Sequence, residues 1–204
     1  MSTQICEFLG GFLQRGPCFI GQVRISPKYC LCHVENAETH GLQVFSDPHD
    51  AIEIARFDDA GKYRPLKTAP NLRHGWFLHL KSASEVVLAL DFLYPAALGT
   101  ALAFSQNKLT HVDLRETLGR QTGMYAVTRK LSDEQAQGAV TRICNPRKGC
   151  LRVILWSISP DHPTSLTMPG AQIQCSGNEI PILCAEACNL FIAATRRIVK
   201  PPTT

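Results

Sequence analysis

Cys144-Asn-Pro-Arg-Lys-Gly-Cys150, then Leu151-Arg-Val-Ile-Leu-Trp156, a proline-rich stretch and finally Cys184-Ala-Glu-Ala-Cys188 form the part of the sequence on which its reading turns. Each cysteine pair brings two thiolates within reach of one centre. The strand-like run and loop between the pairs can fold them together, as a metal or iron–sulfur site requires. A cubane cluster needs four thiolates, one per iron, so Cys144, Cys150, Cys184 and Cys188 are the candidate ligands of a [4Fe–4S] cluster.

The pattern around them predicts local structure. Ser132-Asp-Glu-Gln135 is a capping box opening a helix to about Ile143, which delivers Cys144 at its end. Leu151 to Trp156 reads as a buried strand and starts directly after Cys150. A last helix over about 185–199, stopped by Pro201-Pro202, would put Cys184 and Cys188 on one face of its first turn. Pro146 and Gly149 shape the first loop, and Arg147, Lys148 and Arg152 set positive charge beside an anionic cluster. A structural zinc site could use the same four residues, although the tight Cys-x-x-Cys knuckle of most such sites is absent. Plain buried thiols are the third reading. Cys175, in Gln-Cys-Ser-Gly-Asn, is a fifth candidate that could replace one ligand.

The rest of the composition narrows the class. With 204 residues, 45% hydrophobic and 19% charged, the chain can bury a proper core. A formal net charge of +4 with acids interleaved among the bases is not the dense basic stripe of a nucleic-acid binder. The apolar run from Val86 to Phe104 contains Asp91 and Pro95, so it reads as two helical pieces and not as a membrane span. No signal peptide is evident, so a cytoplasmic location is expected. In a reducing compartment, nine cysteines favour metal binding or free thiols over disulfides.

Upstream, Phe19 to Ile25 and Tyr29 to Val34 flank Ser26-Pro27-Lys28 as a hairpin, and Gly41 to Phe45 adds a third strand. Ser46-Asp47-Pro48 starts a helix that continues to Phe57. Two prolines exclude a regular element over 62–76. A helix capped by Ser82 or Ser84 carries Val86, Val87, Leu90 and Leu93 on one face, and Pro95 starts another. The tract 115–125 mixes polar residues with glycines and reads as a loop. Cys30-Leu-Cys32 puts two thiols on one strand face with His33 opposite, a second metal site short of ligands. The histidines are scattered and show no metal-binding spacing. The expected fold is therefore α+β. A small N-terminal antiparallel sheet with helices (1–125) precedes a helix–strand–loop–helix cysteine-rich domain (126–204).

Several motifs resemble a known family: Gly61-Lys-Tyr-Arg-Pro-Leu-Lys-Thr-Ala-Pro-Asn-Leu72, Leu93-Tyr-Pro-Ala-Ala97, Arg120-Gln-Thr-Gly-Met-Tyr125, Cys-x5-Cys-Leu-Arg and Cys-x3-Cys. From about Gly21 to Arg197 the chain resembles the C-terminal region of sirohydrochlorin cobaltochelatase-like proteins. There a stabilising domain precedes a [4Fe–4S]-binding domain. The resemblance implies an accessory part standing without the chelatase domain, acting with a separate chelatase or on a tetrapyrrole directly. Such tetrapyrroles are polycarboxylates, for which arginine is the natural partner. Arg64, Lys67, Arg73 and Arg120 lie in glycine- and proline-shaped loops and are the candidates to bind one; internal salt bridges are their plainer use.

Three functions follow from this reading. One is an iron–sulfur protein with a redox or accessory role in tetrapyrrole metabolism. The others are a tetrapyrrole-modifying enzyme drawing electrons from the cluster, and a structural zinc or thiol interaction module. No catalytic triad, phosphate loop or paired carboxylates give the enzyme reading a mechanism.

Overall fold

A computed structural model of the chain describes residues 3–36, 40–62, 72–110, 112–144, 150–159 and 178–200. It divides into two compact units, Met1–Lys108 with Cys175–Ile182 and Leu109–Gln174 with Leu183–Thr204. The boundary expected at 125/126 thus falls inside the second unit, where Leu114 and Leu118 share a core with Trp156 and Phe191.

The first unit is built on a six-stranded sheet, in the order β4-β5-β3-β2-β1-β7. Its strands are β1 (Cys18–Ile20), β2 (Val23–Ile25), β3 (Cys30–His33), β4 (Gln43–Phe45), β5 (Trp76–His79) and β7 (Glu179–Ile180). The centre is antiparallel as expected, but β4 runs parallel to β5 and β7 parallel to β1, so the sheet is mixed. Neither parallel edge follows from local sequence, because parallel partners are joined by long connections. The single strand expected over 19–25 is a hairpin instead. Gly21, at φ +55, turns the chain back, and a Cβ there would stand 2.7 Å from Ile182 Cδ1 and 2.8 Å from the Tyr94 ring. Glycine alone fits both the left-handed backbone and the close approach.

Helices α1 (Thr3–Leu13), α2 (Ala51–Arg56), α3 (Ala83–Leu93) and α4 (Ala97–Ser105) complete this unit, and α3 packs against the other three. Ser82 caps α3 by accepting from Glu85 N–H, and Val86, Val87, Leu90 and Leu93 are its buried face. Asp47 caps the turn leading into α2. The break at Pro95 bends α3 from α4 by 108°, and no single helix among the described residues is long and apolar enough to cross a membrane.

The second unit contains α5 (Leu114–Gly119), a 3-10 helix (Gly123–Lys130), α6 (Asp133–Ile143), the parallel pair β6 (Val153–Ile154) and β8 (Leu183–Cys184), and α7 (Asn189–Val199). The tract expected to be a loop over 115–125 is largely helical. Asp113 caps α5 through Arg115 N–H, and Leu114, Thr117 and Leu118 point inward. The glycines that suggested a loop stand at its end and at the following turn. Trp156 and Phe191 meet edge to face, centroids 5.2 Å apart, at the middle of this core.

Candidate metal centre

The four cysteines of the opening stretch are set in the second unit by different devices, and Cys144, Cys184 and Cys188 belong to its core or pack against it. Ser132 and Gln135 form the capping box, with reciprocal bonds of 3.2 and 3.0 Å, and α6 runs to Ile143. Cys144 is its C-cap, and its N–H donates to Val140 O at 2.9 Å. Cys150 comes just before β6. Cys184 ends β8, and Cys188 is the N-cap of α7. The expectation that Cys184 and Cys188 share a helical turn is therefore corrected. The helix starts four residues later than the sequence suggests, and pairing of β8 with β6 holds Leu183 and Cys184 extended. Cys188 still lies at the start of a helix, as the N-cap of α7.

The four thiols lie close enough to act on one another electrostatically. Burial pushes the Cys144 thiol up to about 12, and the next contributions come from Cys150, Cys184 and Cys188. Cys184 is likewise raised, first by burial, with Cys188 and Cys150 adding to it. Against this, the Trp156 indole N–H donates to Cys184 Sγ at 3.4 Å, and the Arg152 guanidinium lowers the same thiol. Half-buried thiols that repel one another as anions make an unfavourable group by themselves. A cationic metal centre reverses that balance by holding them deprotonated, so the donor set fits an iron–sulfur cluster.

Trp156 and the Glu186 carbonyl meet the Cys184 sulfur, which sequence spacing does not reveal, whereas Arg152 stands by that thiol as its charge led one to expect. Cys184 Sγ also contacts the Glu186 carbonyl at 3.0 Å. Arg120 holds the Glu186 carboxylate at 2.5 Å and Glu116 at 3.5 Å, so it ties the Cys184–Cys188 loop to the end of α5 while remaining half exposed. In the first unit, Arg73 pairs with Glu53 at 3.1 Å and stands over Phe45. Both arginines thus carry internal partners. Arg64, Lys67 and Cys175 lie outside the described residues, as do Pro146, Arg147, Lys148 and Gly149. Trp76 is fully buried and donates its indole N–H to Arg73 O. Cys18 is a core thiol that burial raises to about 11.

Comparison with known proteins agrees with this division. Residues 106–197 match the model of a 4Fe-4S iron-sulfur cluster binding domain, and residues 10–105 match that of the DR2241 stabilising domain. No curated protein matches the chain. Among solved structures it is similar to DR2241 from Deinococcus radiodurans, with 27% identity and a TM-score of 0.78 over 98% of this chain. That protein is described as multi-domain, with structural similarity to chelatases and two additional novel domains, and the chain spans 41% of its length. The chain therefore carries a [4Fe–4S] cluster-binding domain over residues 106–197, preceded by a region similar to the DR2241 stabilising domain.

Proposed function

We propose that Cys144, Cys150, Cys184 and Cys188 are the cluster's four ligands, and that the protein has a redox or accessory role in tetrapyrrole metabolism. The ligand assignment is supported by the two cysteine pairs of the sequence, by their place in one unit and by the electrostatic influence of the four thiols on one another. The cluster supplies one-electron chemistry and four iron sites. The chain's own part is to bury the sulfurs, aim the Trp156 N–H at one of them and set Arg152 beside it.

The test of the ligands is analytical. Anaerobically purified protein should contain iron and acid-labile sulfide at about four each per chain. Ser in place of any of the four should empty the site, whereas Ser at Cys6, Cys18, Cys30 or Cys32 should leave it filled. Retention of the full cluster by one of the first four variants removes that residue from the set. Zinc at one per chain without sulfide, lost when these cysteines are replaced, removes the assignment altogether.

The tetrapyrrole link is supported by the chelatase similarity described for DR2241 and by the sequence motifs of the first unit. Its partner is a polycarboxylate macrocycle or a separate chelatase. Arg120 is the described cation best placed to serve a carboxylate in the second unit, in competition with Glu186. Anaerobic titration with sirohydrochlorin should give saturable binding at micromolar concentration that weakens as salt rises. Arg120→Ala should weaken it by about 1.5–3 kcal/mol, the range for a hydrogen bond to a charged group. Absence of saturable binding would leave the redox role and remove this ligand.

A further inference from the structure

A second group of metal-binding side chains lies in the first unit, and nothing above uses it. His33, the last residue of β3, is fully buried, and its Nε2 has no hydrogen-bond partner among the described residues. Its ring lies 4.2 Å from that of His74, centroid to centroid. His74 stands just before β5 with both ring nitrogens engaged, Nδ1 at 2.9 Å from Asp59 Oδ2 and Nε2 at 3.0 Å from Glu35 Oε2. Asp59 also accepts the His74 backbone N–H at 2.6 Å, which fixes the residue from two sides. One donor atom each from His33, Glu35 and His74 lies within 4.8 Å of the others.

We propose that His33, Glu35 and His74 form a binding site for a borderline divalent first-row cation such as zinc, with Asp59 as the positioning residue behind His74. Two imidazoles and one carboxylate are a donor set suited to these ions. The Asp59 carboxylate accepts a hydrogen bond from His74 Nδ1–H, which leaves Nε2, on the Glu35 side, as the atom that offers its lone pair to a cation. A carboxylate backing a ligating histidine in this way both orients the ring and raises its basicity.

The proton balance is explicit. Without a cation, the hydrogen bond to Asp59, with Glu35 adding to it, raises the His74 imidazole above its ordinary range, while burial and the neighbouring His74 lower that of His33. A cation takes the place of the His74 Nε2 proton, which is released to solvent. His33 Nδ1 accepts the Glu35 N–H at 3.2 Å, which leaves the ring proton on the unpartnered Nε2. Binding at Nε2 moves that proton to Nδ1 and gives up this long contact. Three protein donors leave a tetrahedral ion one position short. Glu35 and His74 also line a cleft of about 480 Å³ with Gln22, Asp58, Asp59 and Leu72, where water or a small ligand can complete the shell.

The test uses the full chain with its iron–sulfur cluster intact, dialysed anaerobically against micromolar zinc, with bound metal counted by mass spectrometry. One zinc per chain is expected in addition to the iron. His33→Ala and His74→Ala should lose it, and Asp59→Asn should weaken it about 10–100-fold. Cys30→Ser and Cys32→Ser, which remove the thiols next to His33 on β3, should not change it. The difference spectrum between cobalt-loaded and zinc-loaded protein should show no sulfur-to-cobalt charge-transfer band. Should the buried His33 variant fail to fold, Glu35→Gln and Asp59→Asn at exposed positions carry the test. Wild-type zinc affinity in both of these, or loss of zinc in the cysteine variants, would overturn the proposal.

Discussion

Trp156 bears on the cluster through a single atom. Its indole N–H reaches the sulfur of Cys184, a proposed ligand, from a side chain that is 1% exposed. A hydrogen bond to a ligand sulfur stabilises the more negative, reduced cluster and raises its potential. If the bond is stronger by about 1 kcal/mol to the reduced cluster than to the oxidised one, its loss lowers a one-electron potential by about 40 mV. Trp156→Phe keeps most of the packing against Phe191 and removes only the donor, so the reduced variant should titrate at a more negative potential with iron content unchanged. An unchanged potential would separate Trp156 from the cluster's electronics. Spacing brought forward the four cysteines as proposed ligands, because metal-binding thiols recur at short intervals in sequence. It could not pick out Trp156, which is 28 residues from Cys184 and meets it only when β6 pairs with β8. His33, Glu35, Asp59 and His74 escaped for the same reason, since β5 must lie beside β3 before the two imidazoles meet.

Among the elements, α6 connects helix stability to the metal centre most directly. Its capping box satisfies two backbone N–H groups at one end, and its other end presents Cys144. Ser132→Ala should cost about 1 kcal/mol in denaturant unfolding of the second unit. It should also speed iron loss to a chelator, because a fraying helix loosens its C-cap. Unaltered iron loss in a measurably destabilised variant would show that Cys144 is held by its loop and not by α6. Elements with such local signals were legible: the Ser82 cap of α3, the Pro95 break and the span of α6 all stand where the sequence puts them. The missed ones lack local signals. β7 and β8 have two residues each and exist through their partners, while α1 carries Gly10 and Gly11 inside the helix. The helix α5 was hidden by the glycines that flank it.

For the whole molecule, the decisive feature is the route of the chain. The first unit is not continuous in sequence: its edge strand β7 arrives after most of the second unit. Asn178 anchors that strand by donating its side-chain amide to the carbonyls of Phe12, Gly16 and Pro17 at 2.8, 3.2 and 3.1 Å. Ile180 and Ile182 follow as buried core residues. A fragment ending at Lys108 should therefore be less stable than the same unit in the full chain and should self-associate, because β1 is left with an open edge. Light scattering against concentration checks this, and a monomeric fragment of full stability would count against it. The same route sets a schedule on the ribosome. At about 5–20 residues per second, Asn178 is made roughly 4–14 s after Lys108, and until then the nascent first unit has a bare edge. Completion of the N-terminal sheet is thus timed by translation of the cysteine-rich segment, and a stall within that segment would leave the sheet open to chaperones or to a neighbouring chain.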